Sequence, residues 1–252
     1  MPTIAGLDIG FSKKRKTSGV GLYDGERLRL MRTMGGDVAC APILETQPYD
    51  MIVIDGPLLP DGRDQGAARK VESLFASGKF QKRCKPGHSD KSPIGLHLRH
   101  AAGCAADRLI GAVRVRSGAA FHRVRKGAII EAFPNCFLGV CLPNDVYDPS
   151  LKLKRKKFDW LYERFTERKI LLRATIPEVC FFQKELERET DHEHRAAIIC
   201  VLTGLFVMRG DFVAVGDEKG GWFFLPPRAL WADWAWKEAG RLSDEKGCMI
   251  DG

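Results

Sequence analysis

Short apolar runs separated by polar links predict β-strands in the first third of the chain. IAGLDIGF, SGVGLYDG and RLRLMRTM follow one another closely, and the Asp-Gly in the second link is a common hairpin signal. The next run, MIVID, is apolar throughout, as expected of a parallel strand covered on both faces. A later run, GAIIEAFP, also predicts a strand. The pattern indicates an α/β fold.

Helical patterns occupy much of the remaining chain. We expect helices around DQGAARKVESLFASG and LHLRHAAGCAADRLIGAV, and an amphipathic helix within SLKLKRKKFDWLYERFTERKILLRA. The basic segment KFQKRCKPGHSDKSPIG is predicted to be an irregular loop. TMGGDVACAPILETQP looks too short for a full helix. We therefore expect a basic insertion of helices and loop at about residues 62–126 within a single domain that spans 1–252.

The last quarter predicts a buried helix, a hairpin and an aromatic tail. ETDHEHRAAIICVLTGLFVMRG is apolar on every face in its centre, which favours a helix inside the core, beginning at a Thr190 cap and ending near Gly210. FVAVGDEKGGWFFLPP predicts a hairpin with Gly220 and Gly221 in its turn. We expect the aromatic tail LWADWAW to pack on the body of the domain.

Charge, cysteine spacing and the length of apolar stretches indicate which partners, metal sites and cellular location to expect. The 252 residues carry 40 Lys and Arg against 32 Asp and Glu, a net charge of +8 that favours anionic partners. The eight cysteines form no C-x-x-C pair, which predicts reduced thiols and disfavours a structural zinc site. No signal-like segment and no apolar stretch of roughly 18 residues is present. We therefore predict a cytoplasmic protein with no membrane partner.

Carboxylates end the predicted strands. Asp8 follows the first apolar run, Asp55 ends MIVID, Glu131 lies in GAIIEAFP, and Asp191 begins the buried helix. Because ligands gather at the carboxyl ends of parallel strands, these acids are predicted to meet in one cleft. Clustered carboxylates need a proton or a cation to offset their repulsion, and hard oxygen ligands suit Mg²⁺ or Mn²⁺. Two such metals would favour phosphodiester hydrolysis.

Each acid also has a purely structural interpretation. Asp8 and Asp55 lie just before glycines, where an Asp often caps a turn. Glu131 could instead be a salt-bridge partner. Asp191 would be favoured by the helix dipole, and Glu193 would complete a capping box with Thr190. The neighbouring His192 and His194 fit a surface position better than a magnesium site, which seldom recruits imidazole.

Five motifs, in this order, carry a family resemblance: AGLDIG, VIDGPLLP, KRCKPGHS, IIEAFP and DHEHRAAIICVLTG. The chain resembles the family of predicted ribonuclease H-like nucleases known as domain of unknown function 429. The resemblance implies a five-stranded mixed sheet, three antiparallel strands and then parallel ones, flanked by helices. It places the first strand beside the fourth, so that Asp8 adjoins Asp55 and Asp191 approaches both. Many family members carry an acid where this chain has Ala196.

Positive charge is concentrated near the predicted acids. Residues 63–126 contain 15 Lys and Arg against 4 Asp and Glu. A phosphate-binding role for this region is consistent with its glycines, although a solvated basic loop is the alternative. The predicted nucleic-acid contacts are Lys13, Lys14, Arg15, Lys82, Arg83, Lys85 and His88.

Three functions follow from these observations. The first is a metal-dependent nuclease that acts on DNA, RNA or a hybrid, in which Asp8, Asp55 and Asp191 hold Mg²⁺ or Mn²⁺ and Glu131 assists as ligand or base. The second is a non-catalytic nucleic-acid-binding or adaptor protein on the same fold. The third is an actin-like or sugar-kinase ATPase, because LDIGFSKKRKTSG resembles the first phosphate-binding turn of those proteins. Pro57 disfavours it by removing a backbone donor from the only second candidate loop.

Overall fold

A computed structural model describes residues 2–59, 66–84, 87–113, 129–147 and 157–251. Within these ranges one mixed sheet contains eight strands, in the order β3-β2-β1-β4-β5-β7-β6-β8. The strands are β1 Ile4–Asp8, β2 Lys16–Tyr23, β3 Leu28–Met34, β4 Met51–Asp55, β5 Ile129–Ala132, β6 Val213–Asp217, β7 Gly221–Leu225 and β8 Met249–Asp251. The predicted α/β class is confirmed.

The predicted number of five strands is wrong. The first five strands occur as expected, with β2 antiparallel to both β1 and β3, and with β1, β4 and β5 parallel. The predicted C-terminal hairpin, β6 and β7, extends the sheet because β7 pairs with β5 at Ala132 and Phe224. The short strand β8 then pairs with β6.

Nine helices flank the sheet in the described residues. They are α1 Asp37–Thr46, α2 Lys70–Phe75, α3 Gly78–Arg83, α4 Pro93–Leu109, α5 Pro134–Cys141, α6 Lys157–Glu167, α7 Val179–Arg188, α8 His192–Arg209 and α9 Asp233–Lys246. None of these helices is both long enough and apolar enough to span a bilayer.

Two helices replace predicted irregular segments. Residues 37–46, judged too short for a helix, form α1, which buries Ala39, Cys40 and Ile43 despite an internal Pro42. The basic segment predicted as loop contains α3, whose Phe80 is fully buried, and the first residues of α4. In both cases burial of a few apolar side chains stabilises a helix that the local sequence disfavours.

Helix α8 lies in the core, as its apolar centre predicts. It packs on β1, β2 and β4, while α5, α6 and α7 pack against it. Close approach depends on Gly6 and Gly19, because an added Cβ would collide with the α8 backbone at Ala197 and Glu193 respectively. The predicted end of the helix at Gly210 is confirmed.

Helices α1 and α4 contact each other and cover the other side of the sheet. A Cβ at Gly56, just after β4, would meet Ala102 of α4. The C-terminal aromatic segment packs on the body as expected, with Trp231 and Trp234 buried. The sheet is therefore covered by helices on both faces, and its strand ends form the accessible edge.

We predict that Gly19→Ala will lower the free energy of unfolding by about 1–3 kcal/mol, because the added methyl group collides with the Glu193 carbonyl and pushes α8 away. Gly103→Ala in α4 is the matched control, since, apart from the neighbouring backbone of its own helix, no atom of the described residues lies within 4 Å of the place that its new methyl group would take. The free energy of unfolding of that control should rise by up to about 1 kcal/mol, because Ala favours a helix more than Gly does. Urea unfolding measures both, and equal effects would contradict the close packing of α8.

Candidate metal site and adjoining cleft

Asp8 and Asp55 end two neighbouring parallel strands at the same level. In the register of β1 with β4, Ile4 pairs with Met51 and Asp8 pairs with Asp55. Side chains alternate along a strand, and Ile4, Met51 and Val53 all face Gly204 of α8. The side chains of Asp8 and Asp55 therefore project from the face that α8 covers. The predicted meeting of these two acids, called here the carboxylate pair, agrees with the register.

The carboxylate pair lies in surroundings that disfavour its charged form. Desolvation raises the pKa of Asp8 to about 7, His192 opposes that rise, and Glu193 adds to it. Desolvation also raises the pKa of Asp55, with further contributions from the charges of Asp8 and Glu131. Among the described residues, neither side chain forms a hydrogen bond or an ion pair. Within the described residues, therefore, no basic side chain is bonded to either acid of the pair to offset its charge.

The first turn of α8 supplies two acids with different surroundings. Asp191 is the N-cap, in place of the predicted Thr190, and its Oδ1 accepts bonds from the amides of Glu193 and His194, both 3.1 Å long. Burial alone would raise the pKa of Asp191, but the His194 amide, the charges of His194 and Arg32 and the Glu193 amide lower it. These contacts give Asp191 a structural task.

The charge of Glu193, unlike that of Asp191, acts on Asp8 of the carboxylate pair. Its backbone packs against Gly19, which pairs with Asp8 across β1 and β2. Its charge raises the pKa of Asp8, whereas no such contribution comes from Asp191. The guanidinium of Arg32 bonds both acids, at 3.1 Å to Asp191 and 3.3 Å to Glu193. Glu193 is thus paired with Arg32 and not with a Thr190 cap as predicted, and it is the acid of α8 whose charge acts on Asp8.

Glu131 is held on the other side of the sheet. It pairs in register with Ile54, so alternation directs its side chain to the face opposite Asp55. Arg69 donates to both of its oxygens, at 2.9 and 2.7 Å, and the Leu58 amide donates at 2.8 Å. Burial raises the pKa of Glu131 to about 7, and the Arg69 and Leu58 bonds oppose that rise. The salt-bridge interpretation of Glu131 matches this geometry.

Arg69 also links Glu131 to a second buried acid, Glu72. Its Nη1 lies 3.1 Å from Glu72 Oε1, and Ser89 donates to Glu72 through its amide at 2.8 Å and through its hydroxyl. Arg99 approaches Glu72 at 3.7 Å. These bonds fasten the segment that follows β4 and the loop around Ser89 to the end of β5.

Glu72, His88 and Asp90 bring one ligand atom each to within 4.8 Å of one another, a spacing compatible with a metal ion. The acids of this group are already balanced by arginines, because Arg69 bonds Glu72, and Arg99 lies 3.9 Å from Asp90 Oδ1. A cation bound to this group would be repelled by two nearby guanidinium groups. Within the described ranges, no guanidinium group is bonded to the carboxylate pair. The pair is therefore the better fit for Mg²⁺ or Mn²⁺.

The predicted basic contacts fall into different environments. Lys13, Lys14 and Arg15 are exposed in the loop that follows β1, immediately beyond Asp8. Lys82 is exposed on α3. Arg83 is engaged elsewhere, since its guanidinium stacks 4.1 Å from the Trp234 ring and 4.5 Å from the Tyr147 ring. Lys85 lies outside the described residues.

A cavity of about 260 Å³, called here the edge cavity, opens beside the carboxylate pair. Asp55, Gly56 and Pro57 form one part of its wall, and Glu131 and His88 contribute to the rest. Its position just past the carboxyl ends of β4 and β5 is the usual place for a ligand in an α/β sheet. The sequence patterns predicted neither this cavity nor the role of Arg69, which bonds the wall residues Glu72 and Glu131.

Comparisons of the chain with family models, with curated proteins and with solved structures find no match. The family resemblance noted from the motifs stays a prediction.

We predict that Arg69→Met will lower the free energy of unfolding by about 3–5 kcal/mol, because Glu131 and Glu72 would lose the cation that balances them in the interior. Arg241→Met removes a guanidinium that is 56% exposed and pairs with Glu238 and Glu245, and it should have little effect. Chemical unfolding at neutral pH compares the two variants. Similar losses would show that the buried network contributes no more than a surface pair.

The carboxylate pair also predicts a pH dependence of the metal-free protein. Because the pKa of Asp8 rises from 3.8 to about 7 on folding, the folded state holds a proton that the unfolded state releases, and stability falls as pH rises between those values. In EDTA, the wild type should lose roughly 2–4 kcal/mol more than Asp8→Asn between about pH 4 and about pH 8. Parallel pH profiles for the two proteins would contradict this electrostatic account.

Proposed function

We propose that the protein is a metal-dependent phosphodiesterase that hydrolyses nucleic acid, built on a ribonuclease H-like sheet. The observation that carries the proposal is the register of β1 with β4, which ends both strands on carboxylates that share a face and have no bonded basic partner among the described residues. Paired acids of this kind are suited to hold divalent cations at the carboxyl edge of a sheet.

The strand arrangement supports the proposal. The antiparallel strands come first, the parallel strands follow, and β1 lies beside β4, as the resemblance implies. The strands β6, β7 and β8 extend this core at one edge. Since a fold hosts many activities, the carboxylate pair carries more of the argument than the topology does.

In the proposed site Asp8 and Asp55 are the principal ligands for Mg²⁺ or Mn²⁺. A bound divalent ion would supply Lewis-acid stabilisation of charge on phosphate oxygens. Glu193 is the third carboxylate in our proposal because its charge acts on Asp8, whereas Asp191 is committed to the helix cap. Glu131 positions Arg69 and the loop after β4, since Arg69 and the Leu58 amide engage both of its oxygens.

The basic residues would position the substrate. Lys13, Lys14 and Arg15 extend from the loop directly after Asp8, where they can contact phosphates on either side of the bond to be broken. Lys82 adds exposed charge on α3, and His88 lies in the edge cavity. Arg83 contributes mainly to packing in this proposal, because its stacking on Trp234 and Tyr147 fixes its side chain.

A non-catalytic nucleic-acid-binding protein is the second candidate function. The observation that favours it is that Arg32 forms ion pairs with both Asp191 and Glu193. Among these four acids, only Asp8 and Asp55 then have no bonded basic partner in the described residues. If Arg32 keeps Glu193 away from a metal, the protein would bind nucleic acid through its basic loops without cleaving it. Cleavage assays distinguish the two candidates.

We predict that the purified protein will cleave at least one labelled substrate in a panel of single-stranded DNA, duplex DNA, RNA and RNA–DNA hybrid, with Mg²⁺ or Mn²⁺ present. Asp8→Asn and Asp55→Asn should each lower the rate by at least about 10²–10³-fold, because each removes charge that would hold the cation. Asp107→Asn, an exposed acid on α4, is the matched control.

The same assay separates the two acids of α8. Glu193→Gln should lower the cleavage rate as Asp55→Asn does, whereas Asp191→Asn should retain activity because Asn is also a good N-cap. Cleavage that persists in both strand-end variants would overturn the nuclease proposal. Binding without cleavage in the wild type would favour the non-catalytic candidate.

A further inference from the structure

The edge cavity adjoins the carboxylate pair at Asp55, which belongs to both. Asp55 closes β4, and Gly56 and Pro57 continue from it into the cavity wall. Ala132 and Phe133 enter from the end of the neighbouring strand β5. Asp55 belongs to both the carboxylate pair and the cavity wall, so a substrate with a phosphate at Asp55 would reach the cavity by passing around the carboxyl end of β4.

The wall of the cavity is largely aromatic and aliphatic. Phe133 and Phe223 pack edge to face with ring centroids 5.3 Å apart. Phe11 lies at the opening with 42% of its surface exposed, and Ile94 of α4 is 71% exposed. Large apolar side chains exposed together beside a polar cleft indicate a surface that an apolar ligand covers. A flat ring would bury this surface efficiently.

One polar atom of a residue in the cavity wall has no partner among the described residues. His88 lines the cavity, and its Nδ1 is buried within the protein without a hydrogen bond. Buried polar groups in proteins are nearly always bonded, so an unpartnered ring nitrogen indicates a ligand or water that completes it. Imidazole can donate or accept there according to its tautomer. The ligand is therefore expected to combine a flat apolar ring with polar groups along its edge.

Volume limits the ligand to one ring system. At about 260 Å³ the cavity lies just below the range of roughly 300–1,000 Å³ typical of small-molecule sites. It is too small for a base pair. The ring must therefore enter unpaired, either from a single strand or after extrusion from a duplex.

We propose that the edge cavity binds one unpaired nucleobase of the substrate strand, packed against Phe11 with its polar edge toward His88. The inference rests on the proposed function, because that function places the sugar-phosphate backbone at Asp8 and Asp55. It adds that the protein selects nucleic acid with an accessible base at the site of attack.

Titration calorimetry with the four ribonucleoside 5′-monophosphates and with ribose 5-phosphate tests this inference without metal or cleavage. In EDTA, at least one nucleotide should bind roughly 5- to 150-fold more tightly than ribose 5-phosphate, the contribution of one stacked base. Phe11→Ala and His88→Ala should each weaken nucleotide binding, and Phe11→Ala should remove most of the preference for a base. Leu172→Ala, an exposed apolar side chain elsewhere, should leave binding unchanged.

Asp8→Asn separates this inference from the nuclease proposal. The variant should keep the preference for a nucleotide over ribose 5-phosphate, because Asp8 is not among the residues that line the cavity. Equal binding of ribose 5-phosphate and every nucleotide by both the wild type and Asp8→Asn would overturn the cavity assignment, as would unchanged binding in both Phe11→Ala and His88→Ala. Base-selective binding by a protein that cleaves no substrate would instead count against the nuclease proposal alone.

Discussion

The parallel pairing of β1 with β4 forces two like charges together, and the candidate site depends on that constraint. Backbone hydrogen bonds fix Asp8 opposite Asp55, and α8 covers the face from which both side chains project. Two carboxylates about 4 Å apart repel by roughly 4 kcal/mol at an effective dielectric of 20. The strands cannot separate without breaking the centre of the sheet, so a proton or a cation must relieve the repulsion.

Two structural devices support this arrangement in different ways. Helix α8 lies close to the sheet because Gly6 and Gly19 leave room for its backbone, and at this distance the charge of Glu193 acts on Asp8. On the opposite face, Arg69 neutralises Glu131 and Glu72 and fixes the loop that follows Asp55. Acids on one face are therefore balanced within the protein, whereas the carboxylate pair has no bonded basic partner in the described residues. That asymmetry is what distinguishes a candidate ion site from a structural salt bridge.

The sequence predicts the centre of this fold better than its periphery. Continuous apolar runs such as MIVID reveal buried strands, and the acids at their ends follow directly. Helix α1 escapes prediction because Pro42 and the preceding glycines disfavour it, while its stability comes from burial of Ile43 and its neighbours. The strand β8 is only three residues long and has too little pattern to detect.

The details of the site needed three-dimensional information. Asp191 and Glu193 lie two residues apart on a helix and so point in different directions, but α8 is apolar on every face of its centre and gives no indication of which side meets the sheet. The pairing of Arg69 with Glu131 joins residues that are 62 positions apart. The environment of His88 likewise depends on how its loop packs on α2.

Direct titration of the protein with Mn²⁺ tests the central claim most closely, with binding followed by electron paramagnetic resonance. The account predicts saturable binding that strengthens as pH rises past about 7, where Asp8 ionises, and that disappears in the Asp8→Asn and Asp55→Asn variants. Binding of equal strength in the wild type and both variants, or none in any of them, would contradict it.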